Sequence, residues 1–338
     1  MTTIYDIAKR TGYSPTTVSK AFNNYSDVRA KTRQEILEAA REMGYLPNAH
    51  ARTLTTKKSW TIGVLFVEGT GAGIRHPFFG AVIESFKQVA VDKGYALMFI
   101  SKDVGGKQSG YLENCRIHGV DGVVVLLSDY DDPYFQELLD SSIPMVILDY
   151  ETAQAHTVCS DNTAGALQAV EYLVSLGHRR IAHISGGKGT FPGKQREQGF
   201  VAAMESHGLE IPGDYIVEGA FYSLDSGYAA MQQLLALRER PTAVFASGDL
   251  LAQGAVMAAR DSGLAVPADI SVMGFDDIEL SKFVTPALTT VQQNTAVLGR
   301  RAAEVLLDSI DQGRGDMQAL VFPVEVVVRE SCAPPAEE

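Results

Sequence analysis

The hydrophobic pattern of the chain changes near residue 60. Before that point apolar residues recur at helical spacing, as in the stripe formed by Ile4, Ile7 and Ala8. After it, short apolar or β-branched runs alternate with longer stretches of helical periodicity. Repeated strand–helix units of this kind predict parallel sheets covered by helices on both faces. The pattern therefore predicts a small helical module followed by a larger α/β region.

Capping residues mark the first two helices of the small module. Thr3 and Asp6 resemble a capping pair for a first helix that ends near Gly12. Ser14 caps the next helix, and Pro15 occupies its first turn, where the missing N–H costs nothing. Two short helices joined by so tight a turn predict a helix-turn-helix, whose second helix enters the DNA major groove.

A third helix is predicted within residues 30–45. Its buried face is expected to consist of four apolar residues, Ile36, Leu37, Ala40 and Met43. The second helix instead carries small polar side chains on its outer face, which suits a close approach to base edges and phosphates. Residues 47–60 then contain a segment of about two turns, too short to be a stable helix alone in water.

The charge of the chain is divided unevenly between these regions. Residues 1–60 hold ten Lys and Arg against five Asp and Glu, whereas the whole chain holds 29 against 41. The first module is thus positive and the remainder strongly negative. Such asymmetry favours a small module that faces an anion, attached to a body that would repel one.

Composition bounds the remaining possibilities. A chain of 338 residues with 46% apolar and 21% charged residues is typical of a folded protein with two or three domains. No signal-like start or apolar run of membrane-spanning length occurs, so we expect a cytoplasmic protein without a membrane partner. Widely spaced Cys115, Cys159 and Cys332 predict reduced structural thiols and no metal site.

The larger region can be divided into individual elements. Its strand-like runs are residues 61–67, 96–101, 122–127, 145–150, 181–185, 243–247 and 271–275. Its helical stretches are residues 78–94, 164–177, 194–208, 226–239, 250–263 and 296–310. At roughly 270 residues, the region is long enough for two parallel sheets.

Ligands of open parallel sheets bind beyond the carboxyl ends of the strands. Asp149, Asp249 and Asp276 lie at or soon after three such ends, and Arg196 lies on a following helix. Carboxylates and a guanidinium can bond vicinal hydroxyls, and nearby aromatic rings can stack on C–H faces. These residue types predict a polar pocket of carbohydrate size.

Five blocks of sequence together resemble one known family. They are "TIYDIAKRTGYSPTTVSKAFNN", "GYLPNAHARTL", "SLGHRRIAHISG", "DISVMGFDD" and "TPALTTVQQ", in that order along the chain. They resemble the lactose-repressor (LacI/GalR) family of bacterial transcription regulators, over nearly the whole chain. The resemblance implies an α/β fold with a helix-turn-helix headpiece at 1–46, a hinge at 47–60, and a two-lobed periplasmic-binding-protein-like domain at 61–338. It also implies that the chain crosses between lobes near 160, 288 and 320.

The resemblance also implies the residues that contact DNA. On the recognition helix and the hinge these are Thr16, Thr17, Lys20, Asn23, Asn48, Ala51 and Leu54. Leu54 would be the wedge that paired hinge helices of a dimer push into a minor-groove step. Pro15 departs from the family pattern, because relatives often carry a base-contacting side chain there. The operator preference of a relative therefore does not transfer to this chain.

The expected effector-contact residues follow from the predicted polar pocket and the family resemblance together. They are Phe78, Phe79, Asp149, Asp161, Arg196, Phe221, Asp249 and Asp276. The expected protein is a homodimeric repressor of carbohydrate-utilisation genes, bound to a two-fold symmetric operator and released by a sugar or sugar-derived effector. No cofactor is expected. The glycine-rich segment at 186–195 lacks both phosphate-binding signatures.

Alternatives remain open at this point. A regulator of the same family could bind DNA more tightly with its effector, as a corepressor-type protein, or answer to a partner protein. A sugar-binding receptor would share the fold but would carry a signal peptide instead of a helix-turn-helix. An enzyme acting on sugars could use paired carboxylates, but adjacent Asp276 and Asp277 do not readily flank a glycosidic bond.

Overall fold

A computed structural model describes residues 2–23, 25–45, 58–67, 73–187, 189–219, 222–313 and 315–336 of the chain. By its internal contacts the chain divides into two compact units. The smaller unit comprises Met1–Thr61 with His118–Asp121, and the larger comprises Ile62–Ile117 with Gly122–Glu338. Within the described residues, no helix combines the length and apolarity needed to cross a membrane.

The smaller unit contains helices α1 (Ile4–Thr11), α2 (Pro15–Phe22) and α3 (Ala30–Glu42). The predicted caps are confirmed: Thr3 and Asp6 form a reciprocal capping box at α1, and Ser14 accepts the Thr17 N–H at 3.1 Å. Gly12 ends α1 with φ of 76°, a left-handed conformation that suits glycine. These caps satisfy N–H groups that have no partner within a helix.

The core of the smaller unit is made by one stripe from each helix, chiefly Ile7, Ala8, Val18, Ala21, Ile36 and Ala40. The prediction for α3 is corrected at Leu37, which is 39% exposed. Ile36 and Ala40 are four residues apart and share the core face, whereas Leu37 lies about 100° further round the helix. Met43, at the end of α3, is half-buried against the core.

The larger unit contains two six-stranded sheets among its described residues. In chain order the strands are β1 Thr61–Phe66, β2 Ala96–Phe99, β3 Asp103–Val104, β4 Lys107–Gln108, β5 Gly122–Leu127, β6 Met145–Leu148, β7 His156–Ser160, β8 Ile181–Ser185, β9 Ile216–Glu218, β10 Ala243–Ala246, β11 Ser271–Asp276, β12 Thr289–Gln292, β13 Ala319–Phe322 and β14 Glu325–Val327. The first sheet has the order β13-β7-β6-β5-β1-β2, and the second has the order β14-β12-β11-β10-β8-β9. The two short strands β3 and β4 pair with each other.

Helices connect the strands of both sheets. They are α4 Pro77–Asp92, α5 Tyr111–His118, α6 Pro133–Leu139, α7 Asn162–Ser175, α8 Phe191–Ser206, α9 Leu224–Leu235, α10 Asp249–Asp261 and α11 Thr295–Gln312. Pairing is parallel from β13 through β1 and from β12 through β9, and β14 is antiparallel to β12. This confirms the predicted α/β class with parallel sheets.

Three segments of the larger unit carry the chain from one sheet to the other. The first follows β7, the second follows β12, and the third joins β13 to β14. Strand β7 has no uninterrupted apolar run in the sequence, yet all of its residues are buried. His156 explains part of this burial, because its Nε2 lies 2.9 Å from Ser309 Oγ and its Nδ1 accepts the Gln318 N–H at 3.1 Å.

Candidate functional site

A cavity of about 290 Å³ lies between the carboxyl ends of the two sheets of the larger unit. Ser128 and Asp149 follow β5 and β6 of the first sheet and line one side. Thr190 and Phe191, at the start of α8, and Tyr222, after β9, line the side that belongs to the second sheet. The cavity thus lies where ligands of open parallel sheets bind.

Aromatic rings form much of the wall on the first sheet's side. Phe79 lines the cavity and packs against Phe66, with ring centroids 5.0 Å apart. Tyr130 also lines it and stacks on Tyr150 at 3.9 Å. Phe78, another candidate from the sequence, is buried against Phe79 at 5.3 Å and supports that ring without lining the cavity.

Tyr222 packs against two glycines at strand ends, which leave room for its ring because they lack side chains. A Cβ atom on Gly186 would lie 2.4 Å from the Tyr222 hydroxyl, and one on Gly248 would lie 2.8 Å from its ring. The hydroxyl lies 3.4 Å from Thr190 Oγ1. The contact residue expected from the sequence is the neighbouring Phe221, which lies outside the described residues. The glycines after β8 and β10 are the signal that could have pointed to Tyr222.

Arg196 is a buried cation whose Nε and NH1 atoms contact other protein groups. Its Nε donates to Asn162 Oδ1 at 2.8 Å and its NH1 donates to the Ser247 carbonyl at 2.5 Å. NH1 also lies 3.6 Å from Asp276 Oδ1, and the guanidinium stacks 3.7 Å from the Phe275 ring centroid. With only 2% of its surface exposed, Arg196 acts here as an internal support that positions Asp276 and Asn162.

Asp249, predicted to bind the effector, instead fastens the loop after β11. Its carboxylate accepts hydrogen bonds from the Ile278 N–H at 2.8 Å, the Ser281 hydroxyl at 2.7 Å and the Thr290 hydroxyl at 2.5 Å. Burial and the neighbouring Asp276 raise its pKa well above its usual range. These three donors occupy the Asp249 carboxylate, and Asp249 does not line the cavity.

Asp161 also has a structural contact. It is the N-cap of α7, where its Oδ1 accepts the Ala164 N–H at 3.0 Å. Asp276 has a mixed position: it accepts from Gln293 Nε2 at 2.7 Å, and it neighbours Arg196. Burial raises the pKa of Asp276, while the Arg196 charge lowers it. Neither Asp161 nor Asp276 lines the cavity.

Among the predicted carboxylates, Asp149 lines the cavity and has an oxygen that accepts no hydrogen bond from the described residues. This oxygen, Oδ1, is buried. Burial, together with the charge of Asp276, raises its pKa to about 6 against the lowering effects of Arg196 and Asn162. Its φ of 47° is uncommon for a non-glycine residue, and such backbone conformations cluster at functional sites.

On the smaller unit, the outer face of α2 differs from residue to residue. Thr16 is exposed, while Lys20 forms an exposed ion pair with Asp27. Thr17 Oγ1 lies 2.9 Å from Ser14 Oγ, and Asn23 Nδ2 donates to the Ser19 carbonyl at 3.0 Å. The Thr16 side chain is therefore open to solvent. Lys20 can exchange its ion-pair partner, the Asp27 carboxylate, for a DNA phosphate.

Two tyrosines beside α2 were missed by the sequence analysis. Tyr5, on α1, is 69% exposed, and Tyr25, after α2, is 42% exposed. Both line a shallow groove with Thr16, Ser19 and Lys20. Both tyrosines could have been identified as aromatic residues on the polar side of a small helical unit, because core packing does not account for them. The hinge candidates Asn48, Ala51 and Leu54 lie outside the described residues.

Two family profiles match the chain in different regions. Residues 3–48 match the profile described as bacterial regulatory proteins, lacI family. Residues 170–332 match the profile described as a periplasmic binding protein-like domain. The first match covers the three helices of the smaller unit, and the second covers all six strands of the second sheet.

Whole-chain comparisons extend this likeness to both units. The HTH-type transcriptional repressor PurR of Serratia proteamaculans (strain 568) is 39% identical over 338 residues, covering 98% of this chain and 97% of the relative. The lac repressor dimer bound to operator and the anti-inducer ONPF has a TM-score of 0.85 and 30% identity, covering 98% of this chain and 99% of that one. The transcriptional regulator CelR in complex with cellobiose has a TM-score of 0.72 and 30% identity, covering 98% and 100%. From its helix-turn-helix, its paired parallel sheets and these relatives, the chain belongs to the lacI family of bacterial regulatory proteins and is a DNA-binding transcription regulator.

Proposed function

We propose that the protein represses carbohydrate-utilisation genes as a homodimer on a two-fold symmetric operator. In this proposal a sugar or sugar-derived effector fills the cavity beside Asp149 and releases the repressor from DNA. The observation that carries the effector site is the buried Asp149 Oδ1 with no donor, placed in a cavity with aromatic walls. The CelR–cellobiose complex supports the sugar class, and the lac repressor dimer on its operator supports the assembly.

The position of the cavity suggests how a ligand acts. Its walls come from both sheets, which are joined by the chain segments after β7, after β12 and between β13 and β14. A ligand that contacts both walls favours whichever relative arrangement of the sheets lets it make more contacts. An equilibrium shifts only by the difference in ligand affinity between two states. Contacts to both walls, at Asp149 and at Tyr222, provide such a difference.

DNA recognition in this proposal uses the outer face of α2. Thr16 and Thr17 contact bases or phosphates, Lys20 releases Asp27 to bind a phosphate, and Asn23 lies at the end of the helix. Leu54 provides the wedge at a central minor-groove step, with Asn48 and Ala51 in the same hinge segment. The capped helix termini of α1 and α2 keep this unit folded before it meets DNA.

The other function within the same family is a corepressor-type regulator, whose effector strengthens operator binding. The cavity geometry is compatible with either sign of response, because the sign depends on which sheet arrangement the operator prefers. The two possibilities make opposite predictions for one experiment.

That experiment is a thermal-shift screen of the full chain against a panel of sugars, followed by operator binding with each hit. A sugar that raises the melting temperature and weakens operator binding supports the proposal. A sugar that strengthens operator binding supports the corepressor form instead. A panel in which no sugar or sugar derivative binds would overturn the sugar class while leaving the DNA-binding assignment in place.

A further inference from the structure

The charged side chains among the described lining residues of the cavity are carboxylates. Asp129 and Asp131 lie on the loop after β5, and Asp149 follows β6. Arg196, further along α8, does not line the cavity, and its Nε and NH1 contact Asn162, Ser247 and Asp276 instead. The acidic side chains thus face the space that a ligand would occupy.

The same wall carries polar atoms whose hydrogen bonds are unmade. Asp149 Oδ1 and Tyr130 OH are buried and have no partner among the described residues. Ser128 lines the cavity with only 7% of its surface exposed, and its Oγ also lacks a partner. Unpartnered buried polar groups are rare in folded proteins and call for an explanation. A polar ligand that donates to Asp149 Oδ1 and pairs with the two hydroxyl groups supplies one.

The aromatic residues of the cavity favour a positively charged donor over a neutral one. Phe79, Tyr130, Phe191 and Tyr222 line the same space as the carboxylates. The faces of aromatic rings attract cations through their quadrupoles, and this attraction grows when the cation is desolvated. A site that combines such rings with a buried carboxylate matches an ammonium group attached to an apolar or hydroxylated ring.

We propose that the effector is a cation: a sugar-sized ring bearing a protonated amine, as in an amino sugar, whose N–H groups donate to Asp149. This inference rests on the proposed function, because it names the class of effector for the same cavity. A ring of the same shape carrying a phosphate or carboxylate is rejected, because it would bring like charge against Asp149 and its acidic neighbours. Neutral sugars bind more weakly than their amines.

Calorimetry on the full chain near neutral pH tests the proposal with matched hexose sets. Each set contains the 2-amino sugar, the neutral sugar and the sugar 6-phosphate, in the gluco, galacto and manno forms. We expect one amine to bind at least about tenfold more tightly than its neutral partner, the effect of one charge-assisted contact. We expect its phosphate to show no binding. A neutral sugar or phosphate that binds as tightly as the amine, or a panel in which no amine binds, would overturn the proposal.

Three variants separate charge from fold. Asp149→Asn keeps the shape and removes the charge, so the preference for amine over neutral sugar should fall about tenfold. Asp131→Asn, on an exposed part of the lining, should reduce the same preference by a smaller factor even if Asp149→Asn fails to fold. Asp308→Asn makes the same charge change on the exposed face of α11 and should leave the preference unchanged. An unchanged preference in both cavity variants contradicts the inference.

Operator binding separates this inference from the function on which it rests. If a neutral sugar releases the operator and no amine does, the repressor assignment stands and the cationic class is wrong. If the amine binds with the expected preference but operator affinity does not change, the ligand class stands and the regulatory proposal is wrong. Measuring both quantities on one preparation therefore assigns any failure to its source.

Discussion

The two units differ in where their ion pairs lie, because the larger unit has a buried pair in addition to exposed ones. In the smaller unit, ion pairs such as Lys20–Asp27 and Arg10–Glu42 lie on the surface, with side chains 40% or more exposed. In the larger unit, Arg196 and Asp276 form a pair whose side chains are 3% and 6% exposed. Exposed pairs contribute little to stability and exchange partners readily, whereas buried charges are costly and need fixed partners. The first arrangement suits transient contact with phosphates, and the second suits a shaped ligand site.

The largest expected effect comes from separating the units. A protein lacking residues 1–60 should lose specific operator binding altogether, a change of roughly 10³-fold or more. It should retain effector affinity, because the cavity is lined within the larger unit. Fluorescence anisotropy with labelled operator measures the first quantity, and calorimetry measures the second. Specific operator binding by the truncated protein would contradict the division of labour between the units.

Removal of the buried cation should have the next largest effect. Arg196→Ala leaves Asp276 without its nearby positive charge, so we expect the larger unit to lose about 3–5 kcal/mol of unfolding free energy. Effector affinity should fall by about 2–4 kcal/mol as the strand end is displaced. Arg260→Ala removes an exposed partner of Asp261 and is the control, with an expected loss within about 1 kcal/mol. Equal losses from the two variants in urea unfolding would refute the contrast.

The pH dependence of stability should have opposite signs in the two units. Burial raises the pKa of Asp149 to about 6, so the folded larger unit holds a proton that the unfolded chain releases, and its stability should decrease as pH rises from about 4 through 6. In the smaller unit, the Thr3 hydroxyl lowers the pKa of Asp6, and Lys20 lowers that of Asp27. Its stability should instead decrease as pH falls below the usual aspartate pKa. Urea titrations at several pH values, following each unit separately, measure this dependence. Stability that changes with pH in the same direction in both units would contradict the prediction.

The smallest expected effect concerns a single cap. Ser14→Ala removes the acceptor for the Thr17 N–H and should cost the smaller unit about 1 kcal/mol of unfolding free energy. Ser14→Asp keeps an acceptor at the same position and should restore most of that stability. Thermal unfolding of the smaller unit measures both variants. A loss in Ser14→Asp as large as in Ser14→Ala would show that the cap does not explain the helix boundary.

The sequence predicted the smaller unit better because its signals are local. Thr3, Gly12 and Ser14 act on residues within four positions, and each does what the pattern indicated. Leu37 was misassigned because it is apolar and adjacent to the core residue Ile36, so composition alone did not separate the two faces. Helix periodicity separates a core residue from an exposed apolar neighbour only when each position of the buried stripe is assigned from its spacing.

The cavity was harder to predict because its members are distant in sequence. Asp149 was identified from its place after a strand, and the structure puts it at the cavity. Asp249 and Asp161 had the same kind of position, but their partners Thr290 and Ala164 determine their roles. Only the folded chain shows whether a carboxylate is already satisfied, because one of these partners is a hydroxyl more than forty residues away.

The central claim is that ligand in the cavity and operator on α2 influence each other's binding. Its most direct test measures effector affinity of the full chain by calorimetry, with and without saturating operator DNA. The account predicts weaker effector binding on operator, by the same factor by which saturating effector weakens operator binding, because such coupling is reciprocal. Identical effector affinity in the two conditions would contradict it.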